Sequence, residues 1–279
     1  MAIGDLTRIN TNISALNALN SLKNIGRELG QTQLRLQTSK RINEAADDPS
    51  GFSIVSKLNS RARGLATAFD SVGTSANMLS IAEGAMMTIH ENLLTMQDLV
   101  RQTTSDNLGT SERTAIEAQI DDLSTEIARL RDATTFNGQK LIDGSFTGKR
   151  VLTGSEATDT VLMSLNQDFS LASLGISDVS MDVTTTALAS LSLTFVDAAL
   201  ASVRLEIQNI GSLGSRLRGV SENLGIAIIN TKSAASRIQD ADVAAEQVNA
   251  VRLQILQQLA TAQLGAANTG PQQILALFR

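Results

Sequence analysis

Four groups of residues in this sequence are of types that could do chemistry. His90, the only histidine, adjoins Glu91, and an imidazole beside a carboxylate could act as a general base or a metal ligand. No further ligands stand at useful spacing, so His90 is expected on the flank of a helix, beside its apolar stripe. Asp47–Asp48 and Asp121–Asp122 are carboxylate pairs, the equipment of acid–base hydrolysis. Sequence neighbours on a helix point about 100° apart and cannot converge unaided, so solvation and helix-start electrostatics account for them. Gly211, Gly214 and Gly219 in GSLGSRLRG suggest a phosphate-cradling loop, but its spacing and its Lys-Ser/Thr are missing. Glycines inside a heptad pattern are expected to allow close helix approach or slight bending. Met78, Met86, Met87 and Met96 recur at helical spacing and read as core or interface filler. No catalytic, cofactor-binding or metal-binding residue is assigned, and the chain is expected not to be an enzyme.

Composition narrows the partners. The net charge is −5, so the basic surface that phosphate neutralisation requires is missing and nucleic acid is not an expected partner. Cysteine is absent, which removes disulfides, thiolate metal sites and thiol nucleophiles. No apolar stretch is expected to approach the roughly 18 residues of a membrane span, and no membrane insertion is expected. The first twenty residues lack the basic start and apolar block of a secretory signal, which predicts a cytosolic chain or one exported without a cleaved signal. With 279 residues but only 3% aromatics, burial must come from Leu, Ile, Val, Ala and Met, a palette suited to long helices packed side by side.

The elements follow from periodicity. Leu79, Ala82, Met86, Ile89, Leu93, Met96 and Val100 alternate steps of three and four and predict a helix over about 75–103. Gly109 breaks it, Thr110 or Ser111 can cap, and Ile116, Ile120, Leu123, Ile127 and Leu130 mark a second helix. Val196, Val203, Ile210, Leu217, Leu224, Thr231 and Ile238 keep a strict seven-residue step, predicting a third helix of about forty residues. Between these, the turn pairs Asn137-Gly138 and Asp143-Gly144 and the alternating run VLMSL predict strands and loops over 137–185, a flap on the helical body. The fold class is mainly α: a long antiparallel helical bundle or coiled coil formed by the two ends of the chain, with a small β-hairpin-rich insert. The core of its rod is expected at Leu79, Met86, Ile89, Leu93, Met96, Ile116, Ile120, Leu123, Ile127, Leu130, Val203, Ile210, Leu217 and Leu224.

The ends differ from the body. From Ile9 to Leu22 no side chain is charged, and from Gln247 to Phe278 only Arg252 is. Both segments are nevertheless amphipathic: Ile9, Ile13, Leu16, Leu19, Leu22, Ile25, Leu29 and Leu36 recur at helical spacing in the first, and Ala244, Val248, Val251, Ile255, Leu259, Ala262 and Ala266 in the second. Ordinary terminal helices docked on the body would have this pattern. Ordering so long a stretch, however, opposes folding by more than the stripe alone returns, which favours folding of the ends against neighbouring copies. These stripes, together with Leu275 and Leu277 in the tail, are the expected polymerisation residues.

Several segments resemble bacterial flagellins: RINTN at Arg8–Asn12, RINEAADD at Arg41–Asp48, AEGA at Ala82–Ala85 and TTFNGQKLIDG at Thr134–Gly144, then SRIQDADVAAE at Ser236–Glu246, QILQQ at Gln254–Gln258 and AANTGPQQILALFR at Ala266–Arg279. The resemblance covers about 8–144 and 194–279, and the short middle implies a minimal flagellin. It implies a structural subunit of the motility filament. Residues 1–45 with 240–279 would form an inner-tube domain, disordered in the monomer and a coiled coil in the filament. Residues 46–144 with 191–239 would form the helical rod, and 145–190 a variable insert. It further implies copies of itself as the main partner, together with a secretion chaperone, the export gate, the filament cap and hook–filament junction proteins. The location implied is extracellular, after export through the flagellar type III channel.

Three departures stand out. Ser39 in RLQTSKRIN occupies the place of a usual glycine. Pro49 after Asp47–Asp48 also looks like the hook–filament junction proteins, which keeps a junction role, or a helical scaffold without motility, as the alternatives. In Leu93–Gln102, the segment in which many flagellins carry arginines read by the innate-immune receptor, this chain has Thr95 and Gln97, which implies weak receptor activation.

Overall fold

The structure, a computed structural model, describes residues 11–177 and 181–276, with side chains to residue 269. Six helices and four short strands are present among them: α1 (Ile13–Thr38), α2 (Pro49–Thr103), α3 (Thr110–Ala133), β1 (Thr135–Phe136), β2 (Gln139–Lys140), β3 (Lys149–Leu152), β4 (Thr160–Met163), α4 (Leu171–Leu174), α5 (Thr186–Gln239) and α6 (Val243–Ala276). They divide into two compact units, one built from residues up to Ser60 with those from Thr231 onward, the other from Arg61–Asn230.

In the second unit one apolar cluster holds α2, α3 and α5 together. Leu79, Met86, Ile89, Leu93 and Met96 of α2, Ile116, Ile120 and Ile127 of α3, and Val203, Ile210, Leu217 and Leu224 of α5 are all buried in it, while Leu123 and Leu130 pack half-buried against it. Two polar ties fix the antiparallel course of α2 and α5 at this end: Gln97 Nε2 donates to Asp197, and Thr186 Oγ1 donates to Asp106 at 2.8 Å. Arg113 is buried and donates to the carbonyls of Thr103 and Ser105, at the end of α2, and to Thr186 Oγ1, at the start of α5. One guanidinium thus satisfies carbonyls that a helix end leaves unpaired.

The helices exceed the spans that periodicity predicts. α2 begins at Pro49, where a missing N–H is harmless and φ is preset, with Asp48 capping it. Its first half hides behind glycines and serines that blur the stripe. α5 begins at Thr186 and, over 18 residues with a mean hydropathy of 1.6, is long and apolar enough by length and composition to cross a bilayer. Counting only uninterrupted apolar runs misses this, because Ser and Thr punctuate the stretch. Of its heptad residues, Val196, Val203, Ile210, Leu217 and Leu224 lie in the core described above, whereas Thr231 and Ile238 are half-buried and belong to the first unit.

The insert is built as turn chemistry predicts. Asn137 and Gly138 both take positive φ, 49° and 76°, the tight turn that matches strand twist, so β1 and β2 pair antiparallel with Phe136 opposite Gln139. β3 and β4 form a second hairpin, Lys149 opposite Met163 through Leu152 opposite Thr160. Leu141, Ile142, Phe146, Leu165 and Phe169 carry the insert into the same cluster as the helices. Gly64 permits the contact: a Cβ there would stand 3.2 Å from the carbonyl oxygen of Ser155. By contrast, a Cβ at Gly211, Gly214 or Gly219 would meet nothing within 4 Å, so close helix approach is not what these glycines serve.

Because Leu93 is fully buried at the centre of the cluster, Leu93→Ala should destabilise the rod by about 2–5 kcal/mol. The same change at exposed Met87 should cost well under 1 kcal/mol, about the surface value, with urea unfolding of the two variants as the comparison.

Candidate functional site

The surface that distinguishes this chain lies in the first unit, where α1 and α6 pack along each other. α1 starts where the Asn12 side chain accepts from Ala15 N, and the same amide donates to Ala267 O at 2.7 Å. Arg35 faces Glu246 at 3.4 Å. Beyond the helix ends the backbone itself pairs: Ala241 N donates to Ser39 O, Arg41 N and Ile42 N to Gln239 O, and Lys40 bridges Asp240. Asn12 with Ala267, Arg35 with Glu246 and Ser39 with Ala241 keep one antiparallel register from helix pair to joint.

The joint is held by its carboxylates. Asp48 Oδ1 accepts from Gly51 N and Ser50 Oγ, capping α2. Asp47 Oδ2 accepts from Asn43 N and Glu44 N and pins the loop. Asp242 Oδ1 caps α6 through Ala244 N and Ala245 N. The buried side chain of Ile42 rests on Gly51, where a Cβ would stand 2.7 Å from Ile42 Cδ1 and 2.4 Å from Asp48 Oδ2. Ser39 ends α1 at φ 55°, ψ 23°, a left-handed geometry that glycine adopts freely and that strains a residue with a side chain. The departure at Ser39 therefore adds strain in a conformation suited to glycine, and Pro49 fits the first turn of α2.

Inside the pair the seam is made of small and medium side chains. Leu29, Thr32, Ala250, Leu253 and Ala260 are buried, and Ala15, Ala18, Leu22, Ile25, Leu36, Gln257 and Leu264 are half-buried. The predicted stripe divides accordingly. Leu22, Ile25, Leu29 and Leu36 contribute to the seam, whereas Ile13 and Leu16 are exposed and Leu19 borders on exposed at 36%. On α6 the whole stripe faces outward: Val248 is 69% exposed, Val251 46%, Ile255 52% and Leu259 54%, with Ala262 exposed beside them. At 3.6 residues per turn these positions lie on the face of α6 opposite Ala250, Leu253, Gln257 and Ala260. Ile9 and Leu277 lie outside the described residues, and of Leu275 only the backbone, in α6, is described.

Sequence periodicity passes over the seam of α6 because four of its six members are small or polar: Glu246, Ala250, Gln257 and Ala260 repeat at heptad spacing with Leu253 and Leu264, but the other face carries Val248, Val251, Ile255 and Leu259. The one signal that could have located it is Glu246, an acid with a basic partner, Arg35, in the other terminal segment. As for the groups that could do chemistry, His90 is half-buried on α2 with Nδ1 buried and unpartnered, and among the described residues no cluster of His, Cys, Asp or Glu could hold a metal. Asp47 and Asp48 diverge to separate backbone donors, as helix-start groups do.

The family model of the bacterial flagellin N-terminal helical region matches residues 9–147, and that of the bacterial flagellin C-terminal helical region matches 193–278. The flagellin of Halalkalibacterium halodurans is 31% identical over 274 residues, covering 97% of this chain and 99% of that protein. The flagellin of Bacillus subtilis is 31% identical over 305 aligned residues, covering 98% and 100%. A solved structure assigned to a flagellar hook-associated protein from Vibrio parahaemolyticus covers 70% of this chain and 100% of its own at a TM-score of 0.55 and 16% identity, a likeness of fold alone.

The joint should weaken in acid. The N–H groups of Asn43 and then Glu44 hold the Asp47 carboxyl below the usual range, and those of Gly51 with the Ser50 hydroxyl do the same for Asp48. Lowered folded values mean stabilisation present above about pH 3.9, the unfolded value, and lost as pH falls through the folded ones. Thermal melting between pH 5 and pH 2 should therefore fall more steeply for the parent chain than for Asp47→Asn/Asp48→Asn.

Proposed function

The chain belongs to the bacterial flagellin family, a family of structural proteins, and we propose that it polymerises through the outward stripe of its terminal helix pair. It is a structural subunit of the flagellar filament, extracellular, serving swimming motility. The single observation that carries the assembly reading is that α6 turns its larger apolar side chains, Val248, Val251, Ile255 and Leu259, away from its own partner helix. Contiguous exposed apolar surface marks an interaction site, and each such side chain returns about 1.5–3 kcal/mol once buried. Ile13, Leu16, Leu19 and Ala262 extend the surface. A patch that meets a different patch on the next copy generates an open helical array when the rotation between copies does not close into a ring.

On this reading residues 1–45 and 240–279 are the inner-tube domain and order as subunits add. Residues 46–144 and 191–239 are the rod, with Leu79 to Leu130 and Val203 to Leu224 as its packing core, and 145–190 is the insert. The chain carries out no reaction and needs no cofactor. Its export through the flagellar channel, and its partnership with a chaperone, the export gate, the filament cap and the junction proteins, rest on the family alone. Gln97 is buried toward Asp197 rather than presented outward, which supports weak activation of the innate-immune receptor; a potent response to purified monomer in a reporter assay would contradict it.

Val251→Asp/Ile255→Asp should abolish elongation from sheared filament seeds, as should removal of residues 260–279, while the rod unfolds in urea as before. Filaments of normal length from either variant would remove the stripe from the mechanism, and growth arrested after a few subunits in the parent chain would favour a junction role instead.

A further inference from the structure

The outward stripe poses a question of rotation. α6 has two apolar faces, and the seam it buries against α1, with Ala250, Leu253 and Ala260, is made of smaller side chains than the face it leaves outside. Burial alone would favour turning α6 by half a turn, placing Val251, Ile255 and Leu259 against α1 and leaving nothing for neighbours. Hydrophobic contact therefore does not select the observed face.

The charges distinguish the two faces. Among the described residues of α1 and α6, Lys23, Arg27, Glu28 and Arg252 are exposed, and only Arg35 and Glu246 are withdrawn from solvent, their side chains 30% and 13% exposed. They meet across the seam one turn beyond the joint, where Glu246 N donates to Asp242 O, so the pair follows closely on the backbone pairing of residues 39–42 with 239–241. The cleft around them, about 190 Å³, is also lined by Glu28, Thr32, Asn249 and Arg252. A half-turn of α6 would carry Glu246 to the outer face and leave Arg35 facing the apolar stripe, a charge without its partner. A single buried polar pair in a helix seam is a known means of fixing register.

We propose that Arg35 and Glu246 set the rotational phase of α6 and thereby decide which of its two apolar faces remains free for assembly. They are positioning residues: the pair acts through the orientation of Val248, Val251, Ile255 and Leu259. The inference rests on the assembly reading given above.

A charge-reversal cycle in the full chain tests it. Arg35→Glu and Glu246→Arg should each slow elongation from parent seeds by about tenfold or more, equivalent to the loss of about 1.4 kcal/mol. The double variant should recover to within about threefold of the parent. Because the chain has no cysteine, introduced pairs report the phase directly. In polymer salted out with sulfate, Leu29→Cys/Leu253→Cys should be joined by a short bis-maleimide in the parent background. In the Glu246→Arg background that link should fall and Leu29→Cys/Val251→Cys should gain it. Equal elongation of parent and single variants, a double variant no better than the singles, or an unchanged cross-linking pattern would each overturn the proposal. Normal growth of Val251→Asp/Ile255→Asp would instead remove the assembly reading while leaving the cross-linking result to stand on its own.

Discussion

A single antiparallel register holds the two ends of the chain together. It runs from Asn12 and Ala267 through Arg35 and Glu246 into the backbone pairing of Ser39 to Ile42 with Gln239 to Ala241. The joint inside it is short on one side, with three residues between α5 and α6, and longer on the other, so its shape depends on local donors finding local acceptors. Asp47, Asp48 and Asp242 supply them, and Gly51 leaves room for Ile42 to be buried where the two connections meet. Loop backbone in such a place must be hydrogen-bonded or solvated, and side-chain carboxylates aimed at successive N–H groups are the economical means. The acidic pair that first suggested hydrolytic chemistry is explained by this role.

Much of this was legible in the sequence, and the failures have physical causes. Strict heptads in α5 and the three-four steps of α2 and α3 reported real cores, since buried positions there carry the largest apolar side chains. The Asn137-Gly138 turn was readable because two successive positive φ values leave few residue choices. The start of α2 at Pro49 was obscured because the helix opens with small and polar residues whose burial is sparse. The seam of α6 is hidden for the opposite reason: Val248, Val251, Ile255 and Leu259 stand on the outer face, whereas the seam mixes leucines with alanine and polar residues. Gly211, Gly214 and Gly219 suggest close helix approach or slight bending; a Cβ at any of them would meet nothing within 4 Å, so no packing contact accounts for their presence.

The rod shows a different balance of polar groups. Arg113 is buried with carbonyl and hydroxyl partners around it, an arrangement that ties the end of α2 to the start of α5. Glu206, in contrast, is buried on α5 with one oxygen accepting from Asn209 and the other unpartnered, and burial pushes its carboxyl above the usual range. Together with His90 Nδ1 and Asn92 Nδ2 it marks the places where the rod carries polar atoms that its apolar cluster does not satisfy.

The scarcity of charge over 9–22 and 247–278 fits the assembly proposed above. A surface that will be covered by further copies must give up its hydration, and an unpaired charge there would oppose assembly by several kcal/mol, on the order of a lost buried pair. Gln, Asn, Ser and Thr can be covered at lower cost, because their hydrogen bonds can be exchanged for others. Charge is admitted in the seam at Arg35 and Glu246, where each finds the other beside the joint, and on α6 otherwise only at exposed Arg252. On the assembly proposed above, the sparing use of charge and the inverted order of the two apolar faces are linked: a helix whose stronger face is left for neighbours needs something other than hydrophobicity to keep that face outside.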